Sequence, residues 1–88
     1  MGFLYVLRSK KNNSYYIGST DNIERKIVEH NNGKSKYTRL LLPLTIVFIQ
    51  KFENLVEARK AEKWVKKQKS RTFIEKLIEQ KVIQRKFN

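Results

Sequence analysis

Two short apolar stretches near the N-terminus, separated by a polar break, constrain the fold of this chain most. Residues 3–7 read FLYVL and residues 15–20 read YYIGST. Aromatic and β-branched residues of this kind are typical of strands. The intervening Lys10-Lys11-Asn12-Asn13 predicts a hairpin loop. Because side chains alternate between the two faces of a strand, Tyr5 and Tyr16 each lie on a defined face of the predicted hairpin.

The two phenols lie side by side on the sheet if the hairpin register brings their faces together. Tyr16 shares its face with Gly18, which leaves space beside the rings. A glycine inside a strand suits the close approach of another backbone or of a ligand. Tyrosine pairs also stabilise sheets without any further role. The hairpin alone therefore leaves packing and function open as explanations.

The charge of the chain favours a polyanionic partner. Its 88 residues are enough for one domain with a modest core. They include 20 Lys and Arg against 8 Asp and Glu, a net charge of +12. Nucleic acid is the leading partner for such a surplus. An anionic membrane surface is a weaker candidate, because no predicted helix combines a bulky apolar face with a basic face. A basic protein that is merely soluble is the alternative.

Several protein classes are disfavoured by what the sequence lacks. The chain has no cysteine, which excludes a disulfide framework and a zinc–thiolate site. No apolar run approaches the roughly 20 residues that a transmembrane helix needs. The first residues lack the basic segment of a secretory signal. We therefore expect a cytoplasmic protein with no membrane partner. A single domain is expected over residues 1–80, followed by a basic tail, residues 81–88, that frays.

Capping signals and apolar periodicity predict the remaining elements. Asp21, with Glu24 three residues later, has the form of a capping box and begins a helix that ends at Asn31-Asn32-Gly33. Residues 44–52 are rich in β-branched and aromatic residues and predict a third strand, with Pro43 at its start.

Two further helices follow the third strand. Asn54, with Glu57 three residues later, begins a helix that runs to about Lys67. Ser70 caps another, whose apolar face carries Phe73, Ile74, Leu77 and Ile78. The predicted order is ββαβαα, an α/β fold in which helices cover a small sheet.

Glu62 is an anomaly on the second predicted helix. The helical face that should meet the sheet carries Leu55, Ala58, Glu62 and Val65. A carboxylate on an apolar stripe is costly unless it is paired or binds a metal. It is either a helix-edge residue held by Lys66 at i+4 or a ligand for a divalent cation beside a phosphate.

The first predicted helix carries Lys26 and His30, which are four residues apart and therefore neighbours on one face. His30 is the only histidine of the chain. A lone histidine at the end of a helix usually interacts with the helix dipole, and catalysis is the less common role. Lys26 taken alone is an ordinary solvated charge.

Taken together, these residues resemble the GIY-YIG nuclease family, in particular its small single-domain bacterial members. The family is named for two tripeptides on adjacent strands. Phe3-Leu4-Tyr5 stands at the first, and Tyr16-Ile17-Gly18 matches the second completely. The likeness covers roughly residues 3–75, and its further matching segments are Ser19 to Arg25, Glu29 to Asn31, Gly33, Lys36 to Arg39, Pro43, Glu57 to Lys63, and Lys66.

The resemblance implies a three-stranded antiparallel sheet flanked by helices and a role for each matching residue. Tyr5 is implied as the general base for the attacking water, and Tyr16 as a hydrogen-bond partner of the scissile phosphate that can share this duty. His30 is implied as a relay for the proton of the tyrosine. Glu62 is implied as the ligand of one divalent metal ion, Mg²⁺ or Mn²⁺. A relay makes chemical sense, because a phenol with a pKa near 10 is a poor base at pH 7.

One position departs from the family pattern. The arginine expected on the first helix is replaced by Lys26, and Arg25 is turned about 100° away. Lysine keeps the charge but loses the planar fork that grips two phosphate oxygens. Two functions follow: a metal-dependent DNA endonuclease with little sequence specificity, of the kind used in DNA repair or recombination, and a non-cleaving nucleic-acid-binding module of the same fold.

The sequence also predicts residues that grip the nucleic-acid backbone without reading its bases. DNA is favoured over RNA as the partner and a monomer over an oligomer, while the preferred nucleic-acid structure, including branched DNA, stays open. The predicted backbone contacts are Lys34, Lys36, Tyr37, Arg39, Lys63, Lys66 and Lys67.

Overall fold

The computed structural model describes residues 1–34 and 39–87, in which a small sheet lies between helices on both of its faces. The element order is ββαβαα, which confirms the order predicted from the sequence. The strands are β1 (Gly2–Ser9), β2 (Tyr15–Thr20) and β3 (Leu44–Phe52), and the helices are α1 (Ile23–Asn31), α2 (Leu55–Lys67) and α3 (Arg71–Gln80).

The sheet is antiparallel with the strand order β2-β1-β3, so β1 is its central strand. Central position explains why residues 3–7 are apolar without a break, since side chains on both faces of this strand are covered. Leu4 and Val6 are fully buried on one face, and Tyr5 and Leu7 are almost fully buried on the other. The strands β2 and β3 form the two edges of the sheet.

Each face of the sheet has its own core. On one face, Val6 packs in a cluster with Ala58, Ala61 and Val65 of α2. The two alanines let the backbone of α2 come close to the sheet. On the other face, Tyr5 forms a smaller cluster that includes Leu7 and Leu44, against which Ile23 of α1 packs. The smaller core contains Tyr5, and Tyr16 packs against it.

The hairpin register places the predicted tyrosines on the same face. Tyr5 lies opposite Gly18, and Leu7 lies opposite Tyr16. Tyr16 is therefore the diagonal neighbour of Tyr5, within reach of an aromatic ring. The register therefore meets the condition under which the sequence places the two phenols on one face of the hairpin.

Capping side chains set the starts of the helices. Asn54 accepts a hydrogen bond from the backbone of Glu57 at the start of α2, and Ser70 caps α3 in the same way, as predicted. At α1 the predicted capping box of Asp21 is wrong. The cap is Asn22, whose extended backbone lets its side chain accept from the Arg25 amide at 3.0 Å. None of these helices in the described part of the chain is long and apolar enough to cross a membrane.

The C-terminal tail packs onto the fold, so the predicted fraying is wrong. Ile83 and Phe87 are both buried against the core. The ring of Phe87 lies 6.0 Å from that of Phe52 and 5.6 Å from that of Trp64, between centroids. The side-chain amide of Gln50 also binds both backbone groups of Ile83, at 2.8 and 3.3 Å. Two apolar anchors and two backbone hydrogen bonds hold the tail.

We expect Phe87→Ala to lower the free energy of unfolding by about 3 kcal/mol, because it removes a buried aromatic ring. Urea denaturation followed by circular dichroism measures this loss. Lys86→Ala, which changes an exposed neighbour in the same tail, should leave the unfolding midpoint within experimental error of the wild type. Equal midpoints for Phe87→Ala and the wild type would contradict the packing of the tail.

Candidate active site

The site is built around the contact between Tyr5 and Gly18. The central strand carries Tyr5 with its ring lying across Gly18 of the neighbouring edge strand. A Cβ atom added at Gly18 would lie 2.5 Å from the hydroxyl oxygen of Tyr5 and 2.6 Å from Cζ. Position 18 must therefore be glycine for this ring placement, which gives a physical reason for the last residue of the second tripeptide.

His30 closes the site from the end of α1. Its Nε2 atom lies 3.2 Å from the hydroxyl oxygen of Tyr5, and the residue is only 2% exposed. The imidazole centroid lies 6.0 Å from the ring of Tyr5 and 5.2 Å from that of Tyr16. The two phenol rings are 6.4 Å apart. These three side chains form one cluster, called here the phenol–imidazole cluster.

The electrostatics of the cluster favour its neutral form. Burial raises the pKa of Tyr5 far above its usual value of 10.0, and the nearby Tyr16 and Glu62 add to the shift. Burial lowers the pKa of His30 below 6.5, and the charge of Lys26 lowers it further. At pH 7 the Tyr5 hydroxyl therefore keeps its proton and the imidazole beside it is neutral.

Glu62 meets the same edge strand from the other face of the sheet. The hydroxyl of Ser19, which follows Gly18, donates a very short hydrogen bond to Oε1 of Glu62. The ammonium of Lys66 lies 2.6 Å from Oε2. The Glu62 side chain is 21% exposed, at the flank of the buried stripe of α2. Its charge still reaches across the edge strand to raise the pKa of Tyr5.

Ser19 is a residue of the site that the sequence did not single out. Serine beside a strand glycine has no periodic pattern of its own, and its partner is 43 residues away in the chain. The one sequence feature that points to Ser19 is its position directly after the second tripeptide, within the segment that resembles the family. Ser19 orients the Glu62 carboxylate and fastens α2 to the edge strand.

Lys26 lies next to His30, as the helical spacing predicts. Its ammonium is 3.7 Å from the Oε1 atom of Glu29 in a partly exposed ion pair. The same charge contributes to the lowered pKa of His30. The cation that replaces the family arginine is thus on the side of the site that carries the imidazole.

The predicted backbone-gripping residues lie at two places on the surface. The lysines of α2 are exposed on one side of that helix, and Lys34 and Arg39 are exposed after α1. Lys36 and Tyr37 lie outside the described residues. The three predicted lysines of α2 are Lys63, Lys66 and Lys67, and Lys60 is exposed on the same helix.

The pKa of His30 is expected to lie below 6.5 and to rise when its phenol donor is removed by Tyr5→Phe. We expect the phenol to donate to the neutral imidazole and so to stabilise its uncharged form, which means that its loss should make protonation easier. As the pH falls below about 6.5, His30 takes up a proton in the unfolded chain before it does so in the folded protein. The free energy of unfolding therefore decreases between about pH 6.5 and the pKa of His30 in the folded protein.

An NMR titration of the imidazole measures this pKa directly, since the chain has a single histidine. Tyr15→Phe is the matched control, because Tyr15 packs on the opposite face of the sheet. An unchanged His30 pKa in Tyr5→Phe would show that the 3.2 Å contact does not form in solution.

Comparison with known proteins identifies the family of the chain. A family model described as the GIY-YIG catalytic domain matches residues 1–77. UPF0213 protein CPE1444 of Clostridium perfringens is 43% identical over 68 residues, which are 76% of this chain and 72% of that protein. UPF0213 protein YazA of Bacillus subtilis is 38% identical over 66 residues, 74% of this chain and 66% of that protein.

A solved structure extends the likeness to the fold. The solution NMR structure of the UPF0213 protein BH0048 from Bacillus halodurans matches with a TM-score of 0.58 and 36% sequence identity. The match covers 92% of this chain and 86% of that one. The chain therefore belongs to the GIY-YIG nuclease family and is related to its small bacterial UPF0213 members.

Proposed function

We propose that this protein is a divalent-metal-dependent endonuclease that hydrolyses phosphodiester bonds of DNA with little sequence specificity. The observation that carries the proposal is the Tyr5 hydroxyl, held above Gly18 and 3.2 Å from a neutral imidazole nitrogen. The carboxylate of Glu62 lies at the same edge strand. A proton acceptor and an anionic metal ligand are the groups that phosphodiester hydrolysis needs.

The phenol–imidazole cluster moves the proton of the attacking water. The water oxygen attacks phosphorus while its proton passes to the hydroxyl oxygen of Tyr5, and the original phenol proton passes to Nε2 of His30. The raised pKa of Tyr5 disfavours a free phenolate. The lowered pKa of His30 keeps its nitrogen ready to accept a proton.

Tyr16 and Lys26 act on the phosphate in this mechanism. Tyr16 is half-buried on the same face as Tyr5, so its phenol can hydrogen-bond a phosphate oxygen. Lys26 supplies a positive charge beside His30 and exchanges its weak pair with Glu29 for the phosphate. The bond from phosphorus to the leaving oxygen breaks, and the released oxygen takes a proton from solvent.

The residues fit one weakly held Mg²⁺ or Mn²⁺ ion. Within residues 1–34 and 39–87, no group of three His, Cys, Asp or Glu residues could form a complete protein cage. Magnesium commonly binds through one or two carboxylates together with water and substrate phosphates, and Glu62 is such a carboxylate. Its exposed pair with Lys66 is easily exchanged. When bound, the ion would neutralise charge on the phosphate and the leaving oxygen.

The expected lack of sequence specificity follows from how the surface would contact DNA. The lysines and arginines behind the net charge of +12 lie mostly at exposed positions of the described residues, on helices, strands, loops and the tail. Contacts from such residues to phosphates position the nucleic acid and carry no sequence information. A cut without sequence preference suits DNA repair or recombination, where the structure of the DNA selects the site.

Lys26 favours a second candidate, a nucleic-acid-binding module that does not cut. Its ammonium pairs with Glu29, and a lysine cannot provide the bidentate grip of an arginine. The same basic surface would then bind DNA without holding the phosphate rigidly enough for attack. The first measurement to make is cleavage of plasmid and branched DNA in Mn²⁺, Mg²⁺ or EDTA.

Glu62→Gln should lower metal-dependent cleavage by about two orders of magnitude or more, because it removes the charge that holds the metal. DNA binding in EDTA should be retained or slightly stronger, since one negative charge is lost. Plasmid relaxation and fluorescence anisotropy measure the two effects. Glu57→Gln, on the same helix, is the matched control and should cut like the wild type. Equal cleavage by Glu62→Gln and the wild type would exclude Glu62 as the metal ligand.

Lys26→Arg should raise the cleavage rate by about one order of magnitude, which corresponds to about 1.4 kcal/mol of transition-state stabilisation. The guanidinium can hold two phosphate oxygens in parallel charge-assisted bonds. Single-turnover cleavage of a short duplex measures the rate. If neither the wild type nor Lys26→Arg cuts, while both bind DNA, the binding module is the correct function.

A further inference from the structure

A groove runs from the candidate active site along the outer edge of β2. It begins as a cavity of about 550 Å³ lined by Tyr15, Tyr16, Ile17 and Lys66. A second cavity of about 320 Å³ adjoins it and shares Tyr15, Ile17 and Lys66. The second cavity continues to the start of α3, where Arg71 lines it. We call the two cavities together the β2 groove.

The β2 groove carries positive charge from three side chains that line its second cavity. Lys66, Lys69 and Arg71 line the second cavity, and no Asp or Glu is among its described lining residues. The Arg71 guanidinium carbon lies 4.7 Å above the centre of the Tyr15 ring. Its Nε atom is 3.4 Å from Glu75 in an exposed pair, which leaves the terminal nitrogens of the guanidinium for another acceptor. A planar guanidinium suits phosphate oxygens.

The floor of the groove is apolar and narrow. Ile17, Val65 and Ile74 line the second cavity together with the ring of Tyr15. A volume of about 320 Å³ is at the small end of ligand pockets, so it admits one nucleotide and no turn of duplex. Apolar or aromatic surfaces for bases, combined with cations for the backbone, are the pattern of sites for single strands.

The groove is continuous with the proposed chemistry. Lys66 lines both cavities and contacts the Glu62 carboxylate. Tyr15 is three residues before Gly18 on the same strand, a span of about 10 Å. A nucleotide in the second cavity would therefore lie close to the phosphate beside Gly18.

We propose that the β2 groove binds an unpaired nucleic-acid strand next to the bond to be cut, with Arg71 and Lys69 holding its phosphates. This inference rests on the proposed function, because it assigns a substrate structure to the same site: a single strand that leaves a duplex. The groove explains how a small domain without base-reading contacts can select its substrate, since a blunt duplex leaves the second cavity empty.

The test compares two arginines that have the same local chemistry. Arg71→Gln removes the guanidinium over Tyr15. The matched control, Arg85→Gln, removes one that lies 5.2 Å from the Trp64 centroid and 5.5 Å from that of Phe87, outside the groove. The probes are fluorescein-labelled dT₁₂ and a blunt 12-base-pair duplex. Anisotropy is measured in EDTA over a range of salt concentrations, so the result does not depend on cleavage.

Arg71→Gln should weaken dT₁₂ binding by on the order of tenfold, the effect of one lost charged hydrogen-bond contact. The slope of log K against log salt should become shallower by about 0.7. Duplex affinity should change little, and Arg85→Gln should change dT₁₂ affinity far less. Lys69→Asn tests the second cation, with a residue that tolerates the left-handed backbone at this position, where φ is 48°.

Equal losses for Arg71→Gln and Arg85→Gln, or equal losses on dT₁₂ and duplex, would overturn the single-strand groove. So would unchanged dT₁₂ binding in both Arg71→Gln and Lys69→Asn. If the wild type never cuts DNA but its binding of dT₁₂ depends on Arg71, the groove stands and the proposed nuclease function fails. If the wild type cuts DNA but Arg71→Gln and Arg85→Gln bind dT₁₂ equally well, the proposed nuclease function stands and the single-strand groove fails.

Discussion

The structure of the site depends on one hydrogen bond, between the Tyr5 hydroxyl and His30. It joins the central strand to the end of α1 through two residues that are almost fully buried. It requires that position 18 carries no side chain, because a Cβ atom there would lie 2.5 Å from the Tyr5 hydroxyl oxygen.

The element order could be predicted from the sequence, because strand ends and helix caps are set by residues close together in the chain. The ends of β2 and β3, and the caps Asn54 and Ser70, follow from residues within a few positions of each other. The start of α1 was misjudged because Asp21 and Asn22 are equally good caps, and only the backbone selects between them. The packing of the tail could not be predicted, because Phe87 follows the cations Arg85 and Lys86 in the sequence. Its partners Phe52 and Trp64 lie far away in the chain.

The parts of the candidate site that depend on local spacing could be predicted from the sequence, and its long-range contacts could not. Helical spacing related Lys26 to His30, and strand alternation related Tyr5 to Tyr16. The contact between Ser19 and Glu62 joins elements 43 residues apart, so no local pattern contains it. Of the two interpretations that the sequence offers for Glu62, the structure shows the first, a helix-edge carboxylate paired with Lys66. Its role as a metal ligand belongs to the proposed function.

The edge strand beside the proposed groove can also be approached by other strands. The sheet order makes β2 and β3 the edge strands, and β3 displays Ile46 and Ile49 to solvent. Such edges invite two copies of a chain to pair and aggregate. The net charge of +12 opposes that approach, because two such molecules repel each other. The cations that attract a polyanion thus also protect the exposed edges, and neutralising them by design would trade substrate affinity for a tendency to self-associate.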